Sequence, residues 1–204
     1  MVEYRSRMQE IVRRTNAINK FTRAGGKGLP WIIVIEVIHL QLRHILELIA
    51  TALLVVNEDA MRKSGNQNIG LWHALDILNA IEAVNGDFYP KPSKPGEKDE
   101  EGVIPLKDVG GDVLTKEKFT TLYKRCGAIL HTRNPFAKKA GVRLESKQDC
   151  EKLLVEANRW QSRIVRLLTH HQFKLKDDES LYIAHTVGTD HVFQVVEFVK
   201  LPPQ

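Results

Sequence analysis

Two residues near the middle of the chain have types and spacing that could do chemistry together. In "LYKRCGAILHTRNPF", residues 122–136, Arg125 precedes His131 by six positions. A guanidinium keeps its charge at any physiological pH and can grip a phosphate through two parallel N–H bonds. An imidazole titrates near neutrality, so it can take or give a proton. On a helix the two would stand roughly 9 Å apart along the axis and roughly 120° apart around it. A long arginine can close that gap, and Gly127 and Ala128 between them leave room for a second helix or a phosphate. Such a pair could handle a proton and a negative charge together. The plainer alternative is a solvated helix face or a helix end cap.

The elements that must carry the pair are legible from hydrophobic period. Wound at about 100° per residue, Phe119, Leu122, Tyr123, Cys126 and Leu130 fall in one apolar arc, which predicts a helix from about Thr115 to about His131. "TRNPF" ends it, because a residue before proline is pushed away from helical angles. Tyr4, Met8, Ile11, Val12 and Ile18 predict a basic amphipathic helix that breaks at "RAGGKGLP". A second helix opens near Pro30 with a stripe of Ile38, Leu42, Ile45, Leu46, Ile49, Leu53 and Val56, and a third covers about Leu71 to Val84. Ser146 and Asp149 stand at capping-box-like spacing ahead of Leu153, Leu154, Ala157, Trp160, Ile164, Leu167 and Leu168, predicting another helix.

Residues 85–112 are rich in proline, glycine and charge and predict a long loop or insertion outside the core. "FKLK", "LYIAHTV" and "VFQVVEFV" change to a strand-like period and predict a small antiparallel sheet. The expected fold is therefore mainly α, a four- or five-helix bundle with a small C-terminal antiparallel β-sheet. Its expected divisions are a basic N-terminal helix (1–28), the bundle (29–172) and a β appendage (173–204).

With 204 residues, 43% of them hydrophobic, the chain can bury one good core and a small appendage. Residues 1–27 hold seven lysines and arginines against two glutamates and so carry the whole net charge of +5, which suggests an anionic partner such as nucleic acid. Cys126 and Cys150 have neither disulfide-framework nor zinc spacing, which points to a reduced, cytoplasmic setting. The apolar stretch 31–56 is interrupted by Glu36, His39, Gln41, Arg43, His44 and Glu47, so no membrane span is expected. The N-terminus lacks an apolar leader segment.

Arginine, a short spacer and histidine at the end of a helix, inside an all-α bundle, resembles the R-x(4–6)-H motif of the HEPN (higher eukaryotes and prokaryotes nucleotide-binding) superfamily over roughly residues 30–171. The resemblance implies a helical bundle that dimerises, bringing two motif helices together over a cleft. It further implies a metal-independent endoribonuclease, a toxin or phage-defence component, with an antitoxin or regulatory partner where one exists. His131 would then act as general acid or base on the ribose 2′-hydroxyl or the leaving oxygen, and Arg125 would stabilise charge on the phosphate. Active members commonly carry a polar residue right after the arginine; here it is Cys126, which favours the alternative of a non-catalytic HEPN-like module binding RNA, a nucleotide or a partner protein. A third reading is a plain helical scaffold.

Other residues are candidates for support. Glu36, His39, Arg43 and Glu47 form a charged stripe at helical spacing, either a water-facing row or a face turned to the motif, with Glu47 or Glu36 orienting Arg125 or His131. Arg159, Arg163, Arg166 and His170 are expected along one helix face, where a row of cations could track a phosphate backbone. Arg133 and Asn134, just past the motif, could contact substrate. No histidine pair has a supporting carboxylate or cysteine at ligand spacing, and there is no Walker loop or dinucleotide fingerprint, so neither metal nor cofactor is expected.

Overall fold

The computed structural model describes residues 1–23, 28–65, 70–98, 100, 104–131, 146–176, 180–188 and 192–198. Six helices and five strands occur among them: α1 (Val2–Arg23), α2 (Trp31–Val56), α3 (Glu58–Lys63), α4 (Ala74–Val84), β1 (Lys91–Pro95), β2 (Leu106–Asp108), α5 (Lys116–Leu130), α6 (Lys147–Leu168), β3 (His170–Phe173), β4 (Leu181–Val187) and β5 (Val192–Phe198). The chain is mainly helical, with one small antiparallel sheet ordered β2-β1-β3-β4-β5.

Helix α2 is the spine. Its stripe of Ile38, Leu42, Ile45, Leu46, Ile49 and Leu53 is wholly buried, and it touches α1, α4, α5 and α6. The run "WIIVI" at its start is β-branched and intrinsically a modest helix former, but Val34 and Ile35 are also buried there. Burial of side chains of this size contributes about 1.5–3 kcal/mol each, more than the few tenths that propensity costs. Pro30 caps the start with extended ψ, as its missing N–H permits. At the two helices that matter for the motif, hydroxyls supply the caps. Thr115 Oγ1 accepts from the Lys118 amide at 3.3 Å, and Ser146 Oγ accepts from the Asp149 amide at 3.1 Å while donating to the Asp149 carboxylate at 2.7 Å.

The expected divisions are corrected in three places. Segment 85–112 is not a loop outside the core: β1 pairs with β3 and β2 pairs with β1, Phe88 lies in the main core, and Ser93 is buried. Sequence composition hid this because Pro92 and Pro95 sit in a strand. Their missing N–H groups read as breakers, yet β1 still joins β3 on one side and β2 on the other. The C-terminal run of strands begins at His170, inside the span expected to be helical, and most of "FKLK" lies beyond β3. Finally, α1, the bundle helices and the sheet share one core cluster, holding Tyr4 and Met8 of α1 beside Phe173, Tyr182 and Phe193 of the strands.

Tyr4 and His171 tie the first helix to the sheet. Tyr4 Oη donates to His171 Nε2 at 2.6 Å, and His171 Nδ1 donates to the Leu168 carbonyl at 3.1 Å. A second, smaller cluster of Ile35, Ile129, Cys150 and Leu153 joins the start of α2 to the end of α5 and the start of α6. That cluster anchors the last turn of the motif helix.

Candidate functional site

Helix α5 lies against α2 and α6, and its residues divide accordingly. Phe119, Leu122, Tyr123, Cys126 and Ile129 are buried. A Cβ placed on Gly127 would stand 3.4 Å from Arg43 Nη1 of α2 and 3.9 Å from His131 Cδ2. Both are ordinary van der Waals distances, so the Arg43 guanidinium of α2 and the His131 ring each lie near this position of α5. Ala128 is exposed to solvent. His131 terminates the helix with extended ψ, its amide donating to the Gly127 carbonyl at 3.0 Å, and it is exposed to solvent.

Arg43 is held from two sides. Its Nε donates to Glu47 Oε1 at 3.1 Å, its Nη2 donates to Tyr123 Oη at 2.8 Å, and its Cζ lies 4.3 Å from the Tyr123 ring centre. Nη1, the remaining terminal nitrogen, is the one that lies against Gly127. Glu47 also accepts from His44 Nδ1 at 3.2 Å, and His73 meets the Tyr123 ring edge-on. Burial raises the Tyr123 hydroxyl above its ordinary value, with Glu47 adding to the effect and Arg43 opposing it.

Arg125 takes a different neighbour. Its Nε and Nη2 donate to the two carboxylate oxygens of Glu156 on α6, at 3.2 and 3.0 Å, and Trp160 Nε1 donates to the same carboxylate at 3.3 Å. Burial alone would raise the Glu156 carboxyl; the bonds from Arg125 and Trp160, with the charges of Arg125 and His39, outweigh it and hold Glu156 below the usual carboxylate range. The expectation that Glu36 or Glu47 orients Arg125 or His131 is thus replaced. Glu156 orients Arg125, and Glu47 reaches α5 only through Arg43 and Tyr123. The reason is helical phase: Arg125 is two residues from both Tyr123 and Gly127, about 200° around the axis from each, so it faces α6 when they face α2.

The charged stripe on α2 is likewise only partly a water-facing row. His39 is wholly buried, its Nδ1 donating to the Ile35 carbonyl at 2.8 Å. Its Nε2 is buried with no hydrogen-bond partner among the described residues. Burial pushes the His39 pKa down, against the pull of that carbonyl and of Glu156. Glu36, half-buried one turn ahead, lies at the start of the same helix. Cys126, the residue next to Arg125, is wholly buried and its thiol is pushed up to about 12, chiefly by burial. At neutral pH it is an uncharged core side chain and not a nucleophile.

Of the α6 cations, Arg163 is committed to the fold: it pairs with Asp112 at 2.7 Å and stacks on Trp160 at 4.3 Å. Arg159 and Arg166 are exposed, and the Arg166 guanidinium occupies space that a side chain at Gly111 would take, 2.8 Å from the Cβ position. His170 lies in β3 rather than on the helix with them. Arg133 and Asn134 lie outside the described residues. Residue reading missed Glu156 and Trp160, which no local spacing links to Arg125, and it left Arg43 as a stripe residue although it bonds to Tyr123 of α5.

No group of three or more His, Cys, Asp or Glu side chains that could hold a metal occurs among the described residues, and no helix there is long and apolar enough to cross a membrane. No protein-family model, no curated protein and no solved structure matches the chain.

Proposed function

We propose that the chain is an RNA-directed, HEPN-like helical protein, a metal-independent endoribonuclease of the toxin or phage-defence kind, with its site at the C-terminal end of α5. One observation carries this reading: the exposed imidazole of His131 and a guanidinium nitrogen of Arg43 both lie within about 4 Å of the Cβ position of Gly127 at the end of α5, with a second guanidinium, Arg125, fixed on the opposite side of the helix. In the reaction so implied, the ribose 2′-oxygen attacks the adjacent phosphorus and gives up its proton to a base. The phosphorus–5′-oxygen bond then breaks, and the leaving oxygen takes a proton from an acid. His131 supplies one of those transfers. Arg43 Nη1, against Gly127, is the donor assigned to the phosphate; Nε and Nη2 are already given in both arginines, to Glu47 and Tyr123 in Arg43 and to Glu156 in Arg125. Arg125 then acts through position and charge. HEPN-like pairing of two chains would set two such sites over one cleft, and an antitoxin or regulatory partner would cover it.

A second reading is favoured by the same Glu156 contact and by the buried Cys126: a non-catalytic HEPN-like module that binds RNA, a nucleotide or a partner protein. One experiment separates the two. Purified protein is incubated with labelled RNA in chelator, and wild type is compared with His131→Ala, Arg43→Ala and Arg125→Ala. The catalytic reading expects cleavage to fall tenfold or more in each, on the order of the 10²-fold that a general acid or base contributes, with circular dichroism unchanged. Undiminished cleavage in folded His131→Ala overturns it. No cleavage by wild type, with salt-sensitive RNA binding lost in the variants, selects the module.

A further inference from the structure

Away from the α5 terminus, α6, β1 and the end of α1 enclose an open cleft of about 680 Å³, lined among others by Asn19, Ser93, Lys94, Asn158, Arg166 and His170. No carboxylate lines it among the described residues. Two of its walls are cationic from different elements, Lys94 on the exposed side of β1 and Arg166 on α6. The remaining polar lining is neutral amide, hydroxyl and imidazole, which can donate to phosphate oxygens without adding negative charge. The size is that of a small-ligand site, but the cleft does not close at its end. It runs into a second depression that shares Asn158, Ser162 and Arg166 and adds Arg159 and Arg163. There the one acid, Asp112, is already neutralised by Lys118 and Arg163. A third depression shares Val155 and Arg159 but is lined also by two carboxylates, Glu151 and Glu156, with Gln148 and Lys152, so the cationic part of the trough ends at Arg159.

We propose that this trough along α6 binds the phosphodiester backbone of a single RNA strand, from Lys94 and Arg166 to Arg159. The proposal rests on the reading that the protein is directed at RNA, and it adds the track by which the strand would be held. Three features favour a chain over a compact anion. The depressions adjoin end to end, the exposed cations Arg159 and Arg166 are spaced about 10 Å apart along the helix, and the trough is lined by groups that meet a backbone rather than by pockets that would read a base. Glycine at 111, with φ of +104°, leaves the space that the Arg166 guanidinium fills, Nη1 standing 2.8 Å from where a Cβ would be.

The test is fluorescence anisotropy with a labelled 12-nucleotide single-stranded RNA at several salt concentrations, with unlabelled adenosine monophosphate as competitor. The proteins are wild type, Lys94→Gln/Arg166→Gln and, for comparison, His131→Ala. All the substituted side chains are exposed, so the variants should fold, as thermal melts will check. The expected result is a tenfold or greater loss of affinity in the double variant, a salt dependence shallower by about one to two cations, and little effect of the mononucleotide. Unchanged affinity and salt slope in the double variant overturn the trough. So does competition by adenosine monophosphate at the concentration of the 12-mer's own dissociation constant, which would mark a compact anion site. A wild type that binds through Lys94 and Arg166 but cleaves nothing leaves the trough standing and removes the endoribonuclease reading. A wild type that cleaves while the double variant binds normally does the reverse.

Discussion

His171 is the residue whose environment most constrains the behaviour of the fold. Both of its ring nitrogens are used in the neutral form, Nδ1 donating to the Leu168 carbonyl and Nε2 accepting from Tyr4. Complete burial lowers its pKa to about 4. A protonated ring would lose the Tyr4 hydroxyl as a donor and place a charge in the core. Because the folded value lies below the unfolded one, near 6.5, the unfolded chain binds more protons between the two. Stability is therefore full above about pH 6.5 and falls as pH drops towards 4, by on the order of 3 kcal/mol. Urea unfolding at pH 7, 5.5 and 4.5 should show that loss, and His171→Phe should flatten it. An equal pH slope in the variant would assign the acid sensitivity elsewhere.

At the scale of elements, the segment between α4 and α5 is the one whose role changed most. Phe88 enters the core ahead of β1, the neighbouring Tyr89 hydroxyl donates to the Leu114 carbonyl at 3.1 Å, and β1 and β2 extend the sheet. Phe88→Ala is expected to destabilise the protein by about 3–5 kcal/mol, the cost of deleting a buried aromatic. A loss below about 0.5 kcal/mol, as for a surface loop residue, would contradict the placement. The motif helix shows the opposite case. Its apolar arc and the stop near His131 could be read from period and from the proline that follows. Its partners could not, since Glu156 lies 31 residues from Arg125 and Tyr123 lies 80 from Arg43.

For the whole molecule, the open question of stoichiometry falls on α2. Ile32, Ile33 and Leu40 are exposed, and they share a face of roughly 120° with Glu36, Arg43 and Glu47. An apolar strip beside a charged row is a self-complementary surface of the kind a two-fold dimer uses. Pairing there would bring two Arg43 and His131 sites near each other. Light scattering at micromolar concentration is expected to give about twice the chain mass of 23.3 kDa. Ile33→Glu/Leu40→Glu should shift it to monomer and lower RNA cleavage with it. A wild type that stays monomeric would remove the dimer from the proposal.

Local order set much of this protein. The stripe of α2, the hydroxyl caps at Thr115 and Ser146, the phase of α5 and the strands β4 and β5 all follow from neighbours in the chain. Period and capping act over a turn or two, so such features survive without knowledge of the fold. Tertiary structure decided what depends on which faces meet. It sent Arg125 to Glu156, brought Arg43 to Tyr123 and Gly127 of α5, buried His39 and His171, and drew a proline-bearing segment into the sheet. The physical reason is the same in each case. A side chain's charge state and reach depend on the dielectric and the partners around it, and helix packing supplies those from residues far away in sequence.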